Sequence, residues 1–422
     1  MSPRLLLVLP MAFVCFAPPA FADGAFPDEL TVSLPAGAPN RIIIGTNFGL
    51  VVSEDGGQTW RFVCELFITS STAELVNFYK VASDGALFAV SAVHLWRSSD
   101  VGCSWTRAGG TVDSLNVSDA FVDPSDSTFV VALASSRLGN ESGIYPSHDG
   151  GRTFESPLYT TPDVLTGVEI ASSAGTTLYA TQVQRIGTAG NAYLLKSTDR
   201  GAHWTQQLLP VPPGTLPRIA AVDPVDANKV YLRLVRAPND AIAITTDDGR
   251  TLSSPLTLSS GTDYFSSFLR AGDGTLYVGT IGGDLYAQAP GETLFTRRIG
   301  PKTRCLGQRP GSSRIYACGD WLLDGYNLGY SDDGARTFQP MMSFTQIAGP
   351  LTCPAVNDFC YSQFILLQQT LGVGLDAGTP GGGRGPTSSG SHCSSVGGGA
   401  VLALLLAHFF RRRSIKRVYK NA

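Results

Sequence analysis

One eight-residue phrase limits what this chain can fold into more than any other feature. "SEDGGQTW" (53–60) returns as "SSDVGCSW" at Ser98, "SHDGGRTF" at Ser147, "STDRGAHW" at Ser197, "TTDDGRTL" at Thr245 and "SDDGARTF" at Ser331. The intervals are 45, 49, 50, 48 and 86 residues. The long gap holds a worn copy, "AQAPGETL" (287–294), which keeps Gly291, Thr293 and an apolar last residue and splits the gap into 42 and 44. A recurrence every 40–50 residues marks propellers and solenoids. Short β-branched and aromatic runs ("RIIIGT", "FVVAL", "KVYLRL", "TLYVGT") bounded by Gly, Asp, Asn and Pro read as strands.

Each unit reads strand, turn, strand, phrase, strand, with Asp-Pro or "SDG"/"GDG" turns between the first two strands. One blade exposes an apolar face that only its neighbours can cover, so the ring must close. The expected fold is all-β: a single seven-bladed propeller of four-stranded antiparallel blades over 23–371. No helix longer than about ten residues is expected inside it.

The phrase resembles the Asp-box, or BNR repeat, of sialidases, sortilin-type receptors, xyloglucanases and photosystem II assembly-factor propellers. Asp and Ser side chains satisfy backbone N–H groups in a turn, Gly supplies positive φ, and the last aromatic starts the next strand. The residues given this structural role are Ser53, Asp55, Gly57, Trp60, Asp100, Trp105, Asp149, Phe154, Asp199, Trp204, Asp247, Asp333 and Phe338.

Both ends differ from the middle. Arg4, the run "LLLVLPMAFVCF" and Ala20-x-Ala22 make residues 1–22 a signal peptide, with cleavage expected between Ala22 and Asp23. Residues 372–392 are a Gly/Ser/Pro-rich linker, 393–410 hold Cys393 and an apolar anchor helix, and 411–422 form a basic tail expected to stay cytoplasmic. The apolar run 396–410 spans about 22 Å as a helix, short of a hydrocarbon core of about 30 Å. "SGSHCSS", the apolar run and "RRR" resemble MYXO-CTERM sorting tails. That resemblance implies processing at Cys393 and attachment at the cell surface; a plain membrane anchor is the other reading. Without the two ends, 24 Lys and Arg face 34 acids, which does not suit nucleic acid. No cofactor or metal motif is present, and a monomer is expected.

Six cysteines remain, an even number that suits disulfides in an exported chain. Of the 15 possible pairings, proximity favours Cys305–Cys318 and Cys353–Cys360, leaving Cys64–Cys103.

A ligand, glycan or protein, is expected on the face opposite the phrases. Arg137, Arg185 and Arg236 fall in the second-to-third-strand loops of three consecutive blades, where guanidinium groups could clamp a carboxylate or sulfate. The longer loop of the last blade offers Asp320, Trp321, Asp324 and Tyr326, suited to stacking a sugar, or else Trp321 folds back as a lid. No catalytic residue is assigned. The reading is an exported, surface-attached propeller with a binding or display role. The alternative is a glycoside hydrolase of sialidase or xyloglucanase type. "NRIIIG" lacks the proline of the sialidase Arg-Ile-Pro motif, with Ile43 in its place.

Overall fold

A computed structural model describes residues 29–373, apart from 73, 186–189, 236–238 and 260–262. Seven four-stranded antiparallel meanders follow one another: blade 1 (29–64), blade 2 (76–107), blade 3 (116–161), blade 4 (164–208), blade 5 (216–257), blade 6 (265–298) and blade 7 (306–342). The first strands of consecutive blades touch all the way round, and that of blade 7 touches that of blade 1. The ring is closed, and the first strands line its axis.

Alternation alone does not explain the strands. "IIIGT" (Ile42–Thr46) and "LYVGT" (Leu276–Thr280) are buried at every position, because second strands are sandwiched between neighbouring blades. The turns between first and second strands use one device. The carboxylate of Asp84, Asp123, Asp223 or Asp273 accepts the N–H two residues on, at 2.8–3.0 Å. In a meander these turns and the phrases, which join third to fourth strands, share one face. The second-to-third-strand loops and the connectors between blades share the other.

Two expectations fail at the C-terminal edge. After blade 7 the chain forms a strand, Ile347–Pro350, that pairs in parallel with the outer strand of blade 1 (Trp60–Cys64) and makes that sheet five-stranded. A 17-residue helix, Pro354–Thr370, then packs on this strand and on the short helix α1 (Glu65–Thr69). It begins with Pro354 in its first turn and buries Val356, Cys360 and Leu367. A four-residue helix, α2 (Trp321–Asp324), lies in the blade 7 loop, so the long one is α3.

The helix also overturns two of the disulfide assignments. Cys353 and Cys360 stand seven positions apart, about 10 Å along a helix axis, too far to bond each other. Cys360 pairs with Cys64 and Cys353 with Cys103, at Cα separations of 5.5 and 5.8 Å. Cys305–Cys318 bridges one hairpin as expected, at 4.9 Å. Each blade's four-stranded meander is built from contiguous sequence. The closing strand, α3 and two disulfides fasten the end of the described domain to blades 1 and 2.

The signal-peptide, linker, anchor and tail assignments, with Ala22, Asp23 and Cys393, lie outside the described residues. Among the described residues no helix is long and apolar enough to cross a membrane.

Candidate functional site

The repeated phrase is a turn that closes on itself. In six copies the first-position hydroxyl (Ser53, Ser98, Ser147, Ser197, Thr245, Ser331) accepts the N–H of position five at 2.8–2.9 Å. The same hydroxyl donates to the aspartate at 2.7–2.9 Å. The aspartate then accepts the position-seven N–H at 2.9–3.0 Å. Its other oxygen accepts the position-seven side chain at 2.6–2.7 Å. In the copy at Ser197 that side chain is His203, donating through Nδ1. These bonds favour the charged form. The His203 backbone and side chain hold Asp199 at about 2, and the Thr251 hydroxyl and amide hold Asp247 at about 2. Trp60, Trp105 and Trp204 each donate their indole N–H to the position-five carbonyl, at 3.1, 3.2 and 3.0 Å.

In five of the six copies position five is glycine, and there space is a second reason for it; the copy at Ser331 holds Ala335 instead, also at positive φ. A Cβ on Gly151 would lie 2.6 Å from Phe88, and one on Gly201 2.6 Å from Leu158, each on the preceding blade. Each turn is thus wedged against its neighbour, and every aspartate oxygen in it is taken. The worn copy is held differently: Gln288 donates to the Glu292 carbonyl at 3.0 Å, and Glu292 accepts the Ala289 N–H at 3.1 Å. Its expected buried end, Leu294, is exposed, and Phe295 packs inward instead.

On the opposite face Arg137 and Arg185 are each engaged within their own blade rather than with each other. Arg137 donates through Nε to the Ser114 carbonyl at 3.0 Å. Arg185 donates through Nε to the Pro162 carbonyl at 3.0 Å, while its N–H meets Asp163 at 3.0 Å. Each pins its loop to the connector leading into its own blade. Arg236 lies outside the described residues.

The blade 7 loop is likewise organised from within. Asp320 caps α2 by accepting the Leu322 N–H at 2.9 Å. Asp324 accepts the N–H groups of Asp320 and Lys302 at 2.7 and 2.9 Å. Tyr326 is buried against Gly319 and Gly329, and that burial, with Asp324 nearby, pushes its hydroxyl up to about 12. Three of the four residues proposed for a sugar platform therefore hold the loop; Trp321 is half-buried at its rim.

A charged cluster on the axis escaped the sequence analysis. Lys80, Asp119, Glu169 and Arg218 come from the first strands of blades 2, 3, 4 and 5. Lys80 and Arg218 both bias Asp119 toward its charged form. Asp119 accepts the N–H groups of Ala120 and Val168 at 2.9 and 3.2 Å, and Glu169 that of Val222 at 2.7 Å. Each carboxylate thereby tethers its blade to the next. Desolvation raises both, opposed by these bonds and Lys80; Glu169, next to Asp119, reaches about 7. The Lys80 ammonium lies 5.5 and 5.8 Å from the ring centres of Phe78 and Phe121. All first strands but the short one of blade 7 carry a register shift. Such bulges break the period of two that would have flagged inward positions. Among the described residues no three His, Cys, Asp or Glu side chains are grouped to hold a metal ion.

No protein-family profile matches the chain, and no curated protein sequence matches it. Solved structures do. Prolyl oligopeptidase B from Galerina marginata is 11% identical with a TM-score of 0.52, over 75% of this chain and 51% of that one. YCF48 from Cyanidioschyzon merolae is 12% identical (TM-score 0.48, covering 69% and 96%) and an ancestral GH74 enzyme 14% (0.46, 74% and 48%). This chain spans about half the length of the oligopeptidase and of the GH74 enzyme. At such identities the likeness is one of fold.

Proposed function

We propose that this protein is an exported, non-catalytic Asp-box propeller, held at the cell surface by its C-terminal segment and presenting a ligand-binding face opposite the turns. The observation that carries the reading is the set of three disulfides, two of which join the end of the domain to its first two blades. Such cross-links persist in oxidising compartments. The turn aspartates add to it, since their oxygens are engaged by the turn. The test is to fractionate cells expressing the wild type and Cys393→Ala. Loss of the substituted protein from the surface, with the propeller intact in the soluble fraction, supports attachment through Cys393; wild-type surface amounts would overturn it.

A second reading, an exported glycan hydrolase, draws on Glu169, whose carboxyl is pushed up to about 7 by desolvation, with Asp119 adding to it. A general acid needs a raised pKa of this kind. Against it stands the tether that each carboxylate makes to the next blade. Hydrolysis of a polysaccharide panel by the wild type, abolished in Glu169→Gln, would establish this reading in place of the first.

A further inference from the structure

The two faces differ in exposed apolar surface. On the turn face the large exposed aliphatics are Val225 and Leu294, which stand apart on blades 5 and 6. On the other face four cluster on blades 6 and 7: Ile281, Ile299, Leu322 and Leu323, exposed by 42, 93, 68 and 61%. They form one surface because their loops are tied together. A groove of about 280 Å³ between 283–284 and 297–300 joins the blade 6 loop to the next connector. The Lys302 N–H to Asp324 bond, 2.9 Å, joins that connector to the α2 loop. Within this cluster Arg297 is paired with Asp284, whereas Arg298 and Lys302 have no ion pair among the described residues. Asp263, Asp284, Asp320 and Asp324 stand among these cations, so the surroundings are balanced in charge, and it is the exposed aliphatic cluster that suits a lipid interface.

The course of the chain points the same way. Helix α3 starts beside the blade 2 turn, where Cys353 bonds Cys103. It passes Cys64 at the far end of the outer strand of blade 1 and packs on α1, a connector of the loop face. The described chain therefore ends toward the loop face, beside blades 1 and 2. In the sequence, 374–395 separate that end from the apolar run 396–410.

We infer that the blade 6–7 loop cluster rests on lipid, with Leu322, Leu323 and Ile299 in the interface and Trp321 at headgroup depth. Tryptophan favours that depth. This rests on the attachment proposed above, so flotation and contact are measured separately. The full chain is reconstituted with 4:1 phosphatidylcholine–phosphatidylglycerol vesicles, with or without brominated phosphatidylcholine. Flotation reports attachment, and quenching of tryptophan emission reports contact. The wild type is expected to float and to be quenched by brominated lipid. The quenching is lost in Trp321→Phe, and also in Leu322→Glu/Leu323→Glu, while both variants still float and keep wild-type circular dichroism. A floating wild type with unquenched Trp321 would overturn the lipid contact and leave the attachment standing. A wild type that does not float would overturn both. Unaltered quenching in the double variant would show that the leucines do not make the contact.

Discussion

The two faces of the ring are built on opposite principles. On one, six turns repeat the same hydrogen bonds to within 0.2 Å, from Ser53-Asp55-Thr59 to Ser331-Asp333-Thr337. On the other, the described loops are held in several different ways. Arg137 and Arg185 pin two of them to connectors, α2 fills a third, and the Glu74 carboxylate gathers Trp96 and His94 at a fourth, at 2.7 and 3.0 Å. A device repeated round a ring does the same mechanical job at each blade. Recognition has to sit where the copies have diverged, which is why an aspartate on the first face and an arginine on the second cannot be weighed alike.

The comparison breaks first, and by most, at the fastening of the ring. Cys64→Ser/Cys360→Ser removes a cross-link that closes nearly the whole domain, and the expected loss is about 2–5 kcal/mol. Urea unfolding would show it; an unchanged midpoint would mean that the closing strand and α3 hold without it. One turn contributes less. Asp149→Asn keeps an acceptor but loses the charge that binds the Thr153 amide and hydroxyl, for an expected 1–2 kcal/mol, roughly. The same change at Glu292, in the worn copy, should cost less, because it gives up one neutral-donor bond to Ala289. Equal losses would remove the distinction between worn and intact copies.

Acid and base should separate the turns from the axis. Asp199 and Asp247, near 2 when folded against about 3.9 unfolded, favour the folded state above pH 4 and lose that contribution as pH falls through 2. Glu169, raised to about 7, has the opposite sign. It weighs against the folded state as pH rises from 4 through 7, so Glu169→Gln should raise the melting temperature at pH 8 and leave it unchanged at pH 4. A shift of equal size at both values would mean that the Glu169 carboxyl is not raised in the folded protein. The smallest effect is expected from Arg137→Ala, which frees one exposed loop and should change stability by about 0.5 kcal/mol or less.

Seven blades, the position of every turn and the roles of its aspartates were legible because the same residues recur at one period. Cys305–Cys318 was legible because one hairpin separates the two cysteines. The closing strand and α3 were not. They occur once, and in "FILLQQ" four apolar residues in a row read as easily as a strand as a helix. Once the helix forms, Cys353 and Cys360 are held apart and proximity in sequence stops predicting bonds. The axial cluster was hidden for another reason. Lys80, Asp119 and Glu169 sit in first strands whose bulges shift the register just before them, so simple alternation does not mark them as inward.

The connectivity of the fastening also bears on how the protein matures. In a chain that is oxidised as it emerges N-terminus first, Cys64 and Cys103 arrive long before Cys353 and Cys360. The first two thiols to meet an oxidant are therefore not native partners. Bonded to each other, they would block both anchoring points that α3 needs. Correct maturation then depends on a thiol exchange that releases them, and biogenesis in a compartment with an oxidase but no disulfide isomerase should accumulate closed blades with an unfastened end.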